Sequence, residues 1–270
     1  IHSSELRGRG IPTTPTLAVD HAGALYLARA GRRYSGGEFD YLSALYRIKA
    51  GGAQLTAATE ARYLHGPPLN NAQVSGGRGG REILVTTFDR DRGVGVLYRL
   101  VDGRIHFFAG GTPDRGTPPL LVQPEGAAVD AAGHVYVADR ARGVVVRFDS
   151  TGRVLDSSYA RAVRPRTLTV DDNDHLWVGS DGSADAPWQA GPGAVWRVAP
   201  GGERRLMVEG PVPQGLSPGP GGSVFVADRQ ASEIFGVTPD GNRVSFARFT
   251  DGDAPDRKST RLNSSHLFIS

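Results

Sequence analysis

With 270 residues, 37 of them glycine, no cysteine and 39% hydrophobic side chains, the chain suits one large, turn-rich domain and excludes disulfides, thiolate metal sites and a cysteine nucleophile. No apolar run approaches the roughly 20 residues of a membrane-spanning helix. The formal charge of +3 falls to +1 once Asp256, Arg257, Lys258 and Arg261 of the C-terminal stretch are set aside, leaving 28 basic against 27 acidic residues, too small an excess to indicate a nucleic-acid surface.

In chain order the sequence reads as a recurring cycle of short apolar strands separated by Gly, Asp and Pro turns. The first cycle is expected from Pro15 to about Thr59. It has a long second-to-third-strand connection, Arg29 to Ser43, carrying Tyr34, Phe39 and Tyr41. The second, 69–109, includes Gly76-Gly-Arg-Gly-Gly80. A phosphate loop would require a following helix and Lys-Ser/Thr, so a plain hairpin turn is expected there.

The third cycle, 124–156, is complete: Pro-Glu-Gly leads into Ala127–Val129, Asp130-Ala-Ala-Gly133 turns, and His134–Ala138, Val144–Phe148 and Arg153–Leu155 follow as strands. The fourth, 165–208, has a second long connection, Gly179 to Gly193, with Trp188 in it. Its Asp171-Asp-Asn-Asp174 occupies the tight-turn slot of Asp130–Gly133 and lacks the later bidentate Glu of a calcium loop, so a turn is expected. The fifth runs over 213–249, and Thr250–Pro255 reads as the approach to a sixth cycle. Residues 256–270, which include DRKSTRLNSSH, resemble the in-frame translation of a sequencing adapter and are expected to add nothing to the core; the domain proper is 1–255. The chain opens on Ile1 rather than Met, so any targeting segment would be missing from view.

Two marks fix the register. Tyr26, Leu84, Tyr136, Trp177 and Phe225 stand at the centre of the second strands, at a drifting interval close to the about 40–50 residues of a four-stranded propeller blade. The third strands read LYRI, LYRL, VVRF, VWRV and IFGV, four of the five with Arg at the same place. The fold class predicted is all-β, a six-bladed β-propeller of four-stranded antiparallel blades with five present.

The run Pro124–Asp139, and less closely 165–178 and 213–228, resembles the blade pattern of NHL-repeat and gluconolactonase-like six-bladed β-propellers, Pro-x-Gly followed by Val-Asp-x-x-Gly-x-Val-Tyr-Val-Ala-Asp. The resemblance implies that the residue before the Pro-x-Gly glycine and the residues ending the second strand ring the mouth of a central channel. The first set is Pro15, Asn70, Glu125, Arg166 and Gln214. The second includes Arg29, Asp139, Arg140, Ser180, Asp181, Asp228 and Arg229. Convergent polar groups in such a concavity predict a ligand site, with Tyr34 or Trp188 near its rim. The bland alternative is that repeat-equivalent charges tie loops and neighbouring blades.

Three functions compete. The first is a binding module for a small polar or anionic ligand, or for a protein partner. The second, implied by the gluconolactonase-like resemblance, is metal-dependent lactone or ester hydrolysis with Ca held by Glu125 and Asn70; against it, Arg166, Gln214 and Pro15 fill the other slots. The third is RNA binding through Arg140, Arg142, Arg164, Arg166 and Arg229 with Trp188 stacking a base. No nucleophile elbow is present, and the histidines do not share slots. The binding module is the expected function.

Overall fold

The computed structural model describes residues 16–30, 33–35, 38–40, 42–48, 69–70, 72–89, 92–101, 104–112, 116–182 and 192–249. The chain divides into two compact units, one ending at Pro124 and the other running from Glu125, and each is taken by itself.

The first unit holds two four-stranded antiparallel sheets. Blade one contains β1 (Thr16–Val19), β2 (Leu25–Ala30), β5 (Leu42–Ile48) and β6 (Leu69–Asn70); β3 (Arg33–Ser35) and β4 (Glu38–Asp40) form a separate small hairpin inside the long connection. Blade two contains β7 (Gln73–Gly76), β8 (Ile83–Asp89), β9 (Val94–Val101) and β10 (Arg104–Gly110). The glycine run makes a one-turn 3-10 element, Arg78–Gly80, as a hairpin connection. Gly80 adopts φ 67° and its carbonyl accepts from the His21 amide at 2.9 Å, which ties the two blades together at their turns.

The second unit holds three such sheets. Blade three is β11 (Pro124–Val129), β12 (Val135–Asp139), β13 (Val144–Phe148) and β14 (Val154–Arg161). Blade four is β15 (Pro165–Val170), β16 (Leu176–Ser180), β17 (Ala194–Val198) and β18 (Arg204–Glu209). Blade five is β19 (Pro213–Pro218), β20 (Val224–Asp228), β21 (Glu233–Val237) and β22 (Arg243–Arg248). Among the described residues no helix is long and apolar enough to cross a membrane.

The core lies between blades. Successive strand residues point to opposite faces, so the central second-strand residue of one blade meets the flanking pair of the next. Tyr136 shares a buried cluster with Leu176 and Val178; Trp177, on the other face of that strand, packs with Val224 and Val226. Tyr26 likewise clusters with Ile83 and Val85. Leu25 is only part-buried. Phe225, on the face of blade five turned from blade four, meets Phe246 edge to face at 5.1 Å between ring centroids while Phe246 and Val244 stay exposed.

The repeated third-strand arginine clamps four of the five blades. It stands directly across from the central second-strand residue in four pairs: Tyr26 with Arg47, Leu84 with Arg99, Tyr136 with Arg147 and Trp177 with Arg197. In blade four Asp171 caps its turn by accepting from the Asn173 and His175 amides, and also accepts from Trp177 Nε1 at 3.0 Å and Arg197 Nη2 at 3.2 Å. In blade three Asp130 accepts from Tyr136 Oη at 2.9 Å, and Arg147 lies over both the Tyr136 and Tyr159 rings. The turn aspartates are therefore structural anchors, and Asp171–Asp174 is the turn its slot predicts.

Close approach of blades explains the Pro-x-Gly glycine. A Cβ on Gly126 would stand 2.5 Å from the Arg166 carbonyl oxygen, 2.9 Å from the Leu168 nitrogen and 3.0 Å from the Thr167 Cα. All three are backbone atoms of the next blade and cannot swing aside. Gly126→Ala is expected to cost about 1–3 kcal/mol as the first strands are forced apart, which chemical denaturation with an unchanged m-value would read.

Candidate functional site

The site is built from two repeat-equivalent positions in blades three to five. The second residue of each first strand is Glu125, Arg166 or Gln214; the residue following each second strand is Arg140, Asp181 or Arg229. The pairing β15 to β16 steps from Pro165 to Thr167 and skips Arg166; β19 to β20 steps from Pro213 to Gly215 and skips Gln214. A bulge at that residue frees its side chain from the alternation of the strand and aims it along the blade edge.

The register also corrects one assignment. Leu69 and Asn70 pair with Ser43 and Leu42, so Asn70 belongs to the outermost strand of blade one and not to the first strand of blade two. Gln73 pairs with Thr86 and Ser75 with Leu84, which places buried Ala72 in the slot that Asn70 was expected to fill. Of the other expected residues, Pro15 and Trp188 lie outside the described residues, as does the side chain of Tyr34.

Four charged side chains join blades three and four in an alternating ring. Arg140 Nη2 donates to Asp181 Oδ2 at 2.7 Å, and its Nε lies 3.6 Å from Glu125 Oε1, an ion-pair distance too long for a hydrogen bond. Arg166 Nη1 donates to the same Asp181 oxygen at 3.1 Å and its Nε lies 3.4 Å from Glu125 Oε2. The two carboxylates are buried and the two arginines part-buried, with side-chain exposures of 1% for Asp181, 6% for Glu125, 12% for Arg140 and 15% for Arg166. Burial pulls the Arg166 pKa down, but Glu125 and Asp181 outweigh it and hold the group above its ordinary value.

Two further arginines face the ring. Arg164 has φ 53°, a strained left-handed backbone for a residue before proline, and its carbonyl accepts from the Asp181 amide at 3.2 Å. Burial and then the charge of Arg140 hold its guanidinium below the ordinary value. Arg229 is half-buried and lowered first by burial and then by Arg166; among the described residues no carboxylate lies within ion-pair distance of it. Beside it in the repeat, Gln214 is 6% exposed and its Oε1 has no hydrogen-bond partner among the described residues; Asp181 Oδ1 is also buried without one.

The remaining expected residues play a different part. Asp228 Oδ1 accepts from the Val212, Gln230 and Ala231 amides, and Asp139 Oδ1 from the Arg142 amide, so both fasten loop backbone. Asp181 was expected at the mouth without a partner, and Arg164 was expected only as an RNA contact. The signal for Asp181 was the alternation of charge at equivalent positions, Arg140, Asp181, Arg229, set against Glu125, Arg166, Gln214.

The donor set does not fit a divalent cation. Glu125 faces two guanidinium groups, Arg166 and Gln214 fill the next slots, and Ala72 stands where Asn70 was expected. Among the described residues no group of three His, Asp or Glu is placed to hold a metal ion. Arg140 and Arg166 are likewise turned onto carboxylates and away from the exposed position an RNA backbone would need.

No family model matches the sequence, and no curated protein matches it either. Solved structures do match in fold. A chain of a nidogen/laminin complex superposes with a TM-score of 0.61 at 16% identity, over 87% of this chain and 80% of that one. A putative gluconolactonase gives 0.54 at 18% identity, over 86% and 74%; the gluconolactonase of Xanthomonas campestris gives 0.52 at 19%, over 78% and 67%. The chain thus has a β-propeller fold similar to that of NHL-like and gluconolactonase-like propellers.

Proposed function

We propose that the chain is a ligand-binding propeller module that takes a small anionic ligand on the face built from Glu125, Arg140, Arg166, Asp181, Gln214 and Arg229. The observation that carries this reading is a broken pattern. Blade three supplies Glu125 with Arg140, and blade four supplies Arg166 with Asp181, each a matched pair of opposite charges. Blade five supplies Arg229 with neutral Gln214, so one half-buried guanidinium lacks its carboxylate.

A guanidinium held in a partly desolvated setting is a strong donor to a carboxylate or phosphate, and its planar fork adds geometric selection. The same group would accept a carboxylate presented by a protein partner. The test is a thermal-shift and calorimetric titration at low ionic strength with glycolate, citrate and inorganic phosphate, and with glucose as the neutral control. Anions are expected to bind and raise Tm, glucose to do neither, and 0.5 M NaCl to weaken the effect. Equal response to glucose, or none to any anion, would contradict the reading. Tight calcium binding that depends on Glu125 would favour the hydrolase instead.

A further inference from the structure

We infer that the ligand of this face is a 2-hydroxycarboxylate, its carboxylate on Arg229 and its hydroxyl on Gln214; this rests on the anion-binding reading above. The repeat itself provides the template. In blade three a carboxylate, Glu125, occupies the first-strand slot opposite Arg140. In blade five that slot holds a side chain of the same length carrying an amide, and the opposing Arg229 has no ion-pair partner among the described residues. The absent group is thus one carboxylate, with the charge of a single anion.

Gln214 narrows the class. A buried amide oxygen without a donor is costly, so a ligand that brings a donor beside its anion gains where a simple carboxylate does not. Buried Gln214 Oε1 is such an acceptor, and buried Asp181 Oδ1 is a second. A hydroxyl on the carbon next to the carboxylate supplies that donor at the shortest reach. An ammonium at the same place would also donate, but it would meet two guanidinium groups, Arg166 and Arg140, against one carboxylate, Asp181. The neutral hydroxyl avoids that imbalance.

The experiment compares lactate with propionate, equal in carbon number and charge, and with alanine, by calorimetry or amide-shift titration at low salt. Wild-type protein is expected to bind lactate at least fivefold more tightly than propionate, and alanine more weakly than lactate. Gln214→Met keeps length without the acceptor and should bring lactate down to propionate while leaving propionate unchanged. Arg229→Gln should remove both, whereas Arg205→Gln, on β18 and outside the face, should change neither. Near-UV circular dichroism confirms that each variant is folded; among the described residues Arg229 makes no ion pair whose loss would unfold it. Equal, Arg229-dependent binding of lactate and propionate would overturn the hydroxyl assignment while sparing the anion site. Absence of any binding would overturn both, and tighter binding of alanine would overturn the choice of hydroxyl over ammonium.

Discussion

Asp171→Ala is expected to destabilise the second unit by about 3–5 kcal/mol, the range for stripping a partner from a buried charge. The carboxylate serves two backbone amides, the Trp177 indole and the Arg197 guanidinium, and Trp177 is fully buried against blade five. Alanine would leave the indole N–H without an acceptor and the Arg197 guanidinium with His175 Nδ1 alone, at the interface of two blades. Burial alone would raise the Asp171 pKa, but its hydrogen bonds from Trp177, His175 and Asn173 outweigh burial and hold it below the ordinary value. Asp130 is lowered in the same way through His134 and Tyr136. A carboxyl lowered on folding contributes stability that is fully present above its unfolded pKa, about 3.9, and lost as pH falls through the folded value. Wild type should therefore lose stability steeply below about pH 4, and Asp171→Asn should flatten that loss, as urea midpoints across pH would show.

The second large effect is at the ring. Asp181 is fully buried and accepts from both Arg140 and Arg166, so Asp181→Ala would leave two largely desolvated guanidinium groups sharing Glu125 alone. The expected loss is again about 3–5 kcal/mol. Here the deficit has a particular remedy: a free anion can take the place of the missing carboxylate. Raising phosphate from low to high millimolar concentration should close much of the Tm gap between variant and wild type, whereas the same concentrations should do nothing for Asp171→Ala. A gap insensitive to phosphate would show that the ring is closed to anions.

How far the sequence could be read depended on the range of the interaction. The blades were legible because their signals are local: alternation over five residues in Val135–Asp139, an Asp-x-x-Gly turn at Asp130–Gly133, and the recurrence of both. The third-strand arginine was visible as a register mark, but its role as a clamp requires the cross-strand pairing of Tyr136 with Arg147 and Trp177 with Arg197. Asn70 was misplaced because aligning turns cannot reveal that Leu69 and Asn70 close the preceding sheet. The ring was least legible. Arg140 and Asp181 are 41 residues apart, and nothing in either stretch says that a bulge at Arg166 turns a third charge onto the same carboxylate.

The outermost strands carry arginines too, among them Arg243 on β22 and Arg205 on β18. Arg243 reaches Glu233 at 2.9 Å and covers the Phe235 ring, and Arg205 donates to the Asp240 carbonyl. An anion drawn simply by positive charge would find these outer-strand groups as readily as Arg229. The most direct test is therefore to map where an anion lands, following backbone amide shifts while citrate is titrated into the intact protein at low salt. The account predicts saturable changes concentrated at Glu125, Arg140, Arg166, Asp181, Gln214 and Arg229 and their chain neighbours. Changes confined to β18 and β22, or spread evenly over the arginines without saturation, would contradict it.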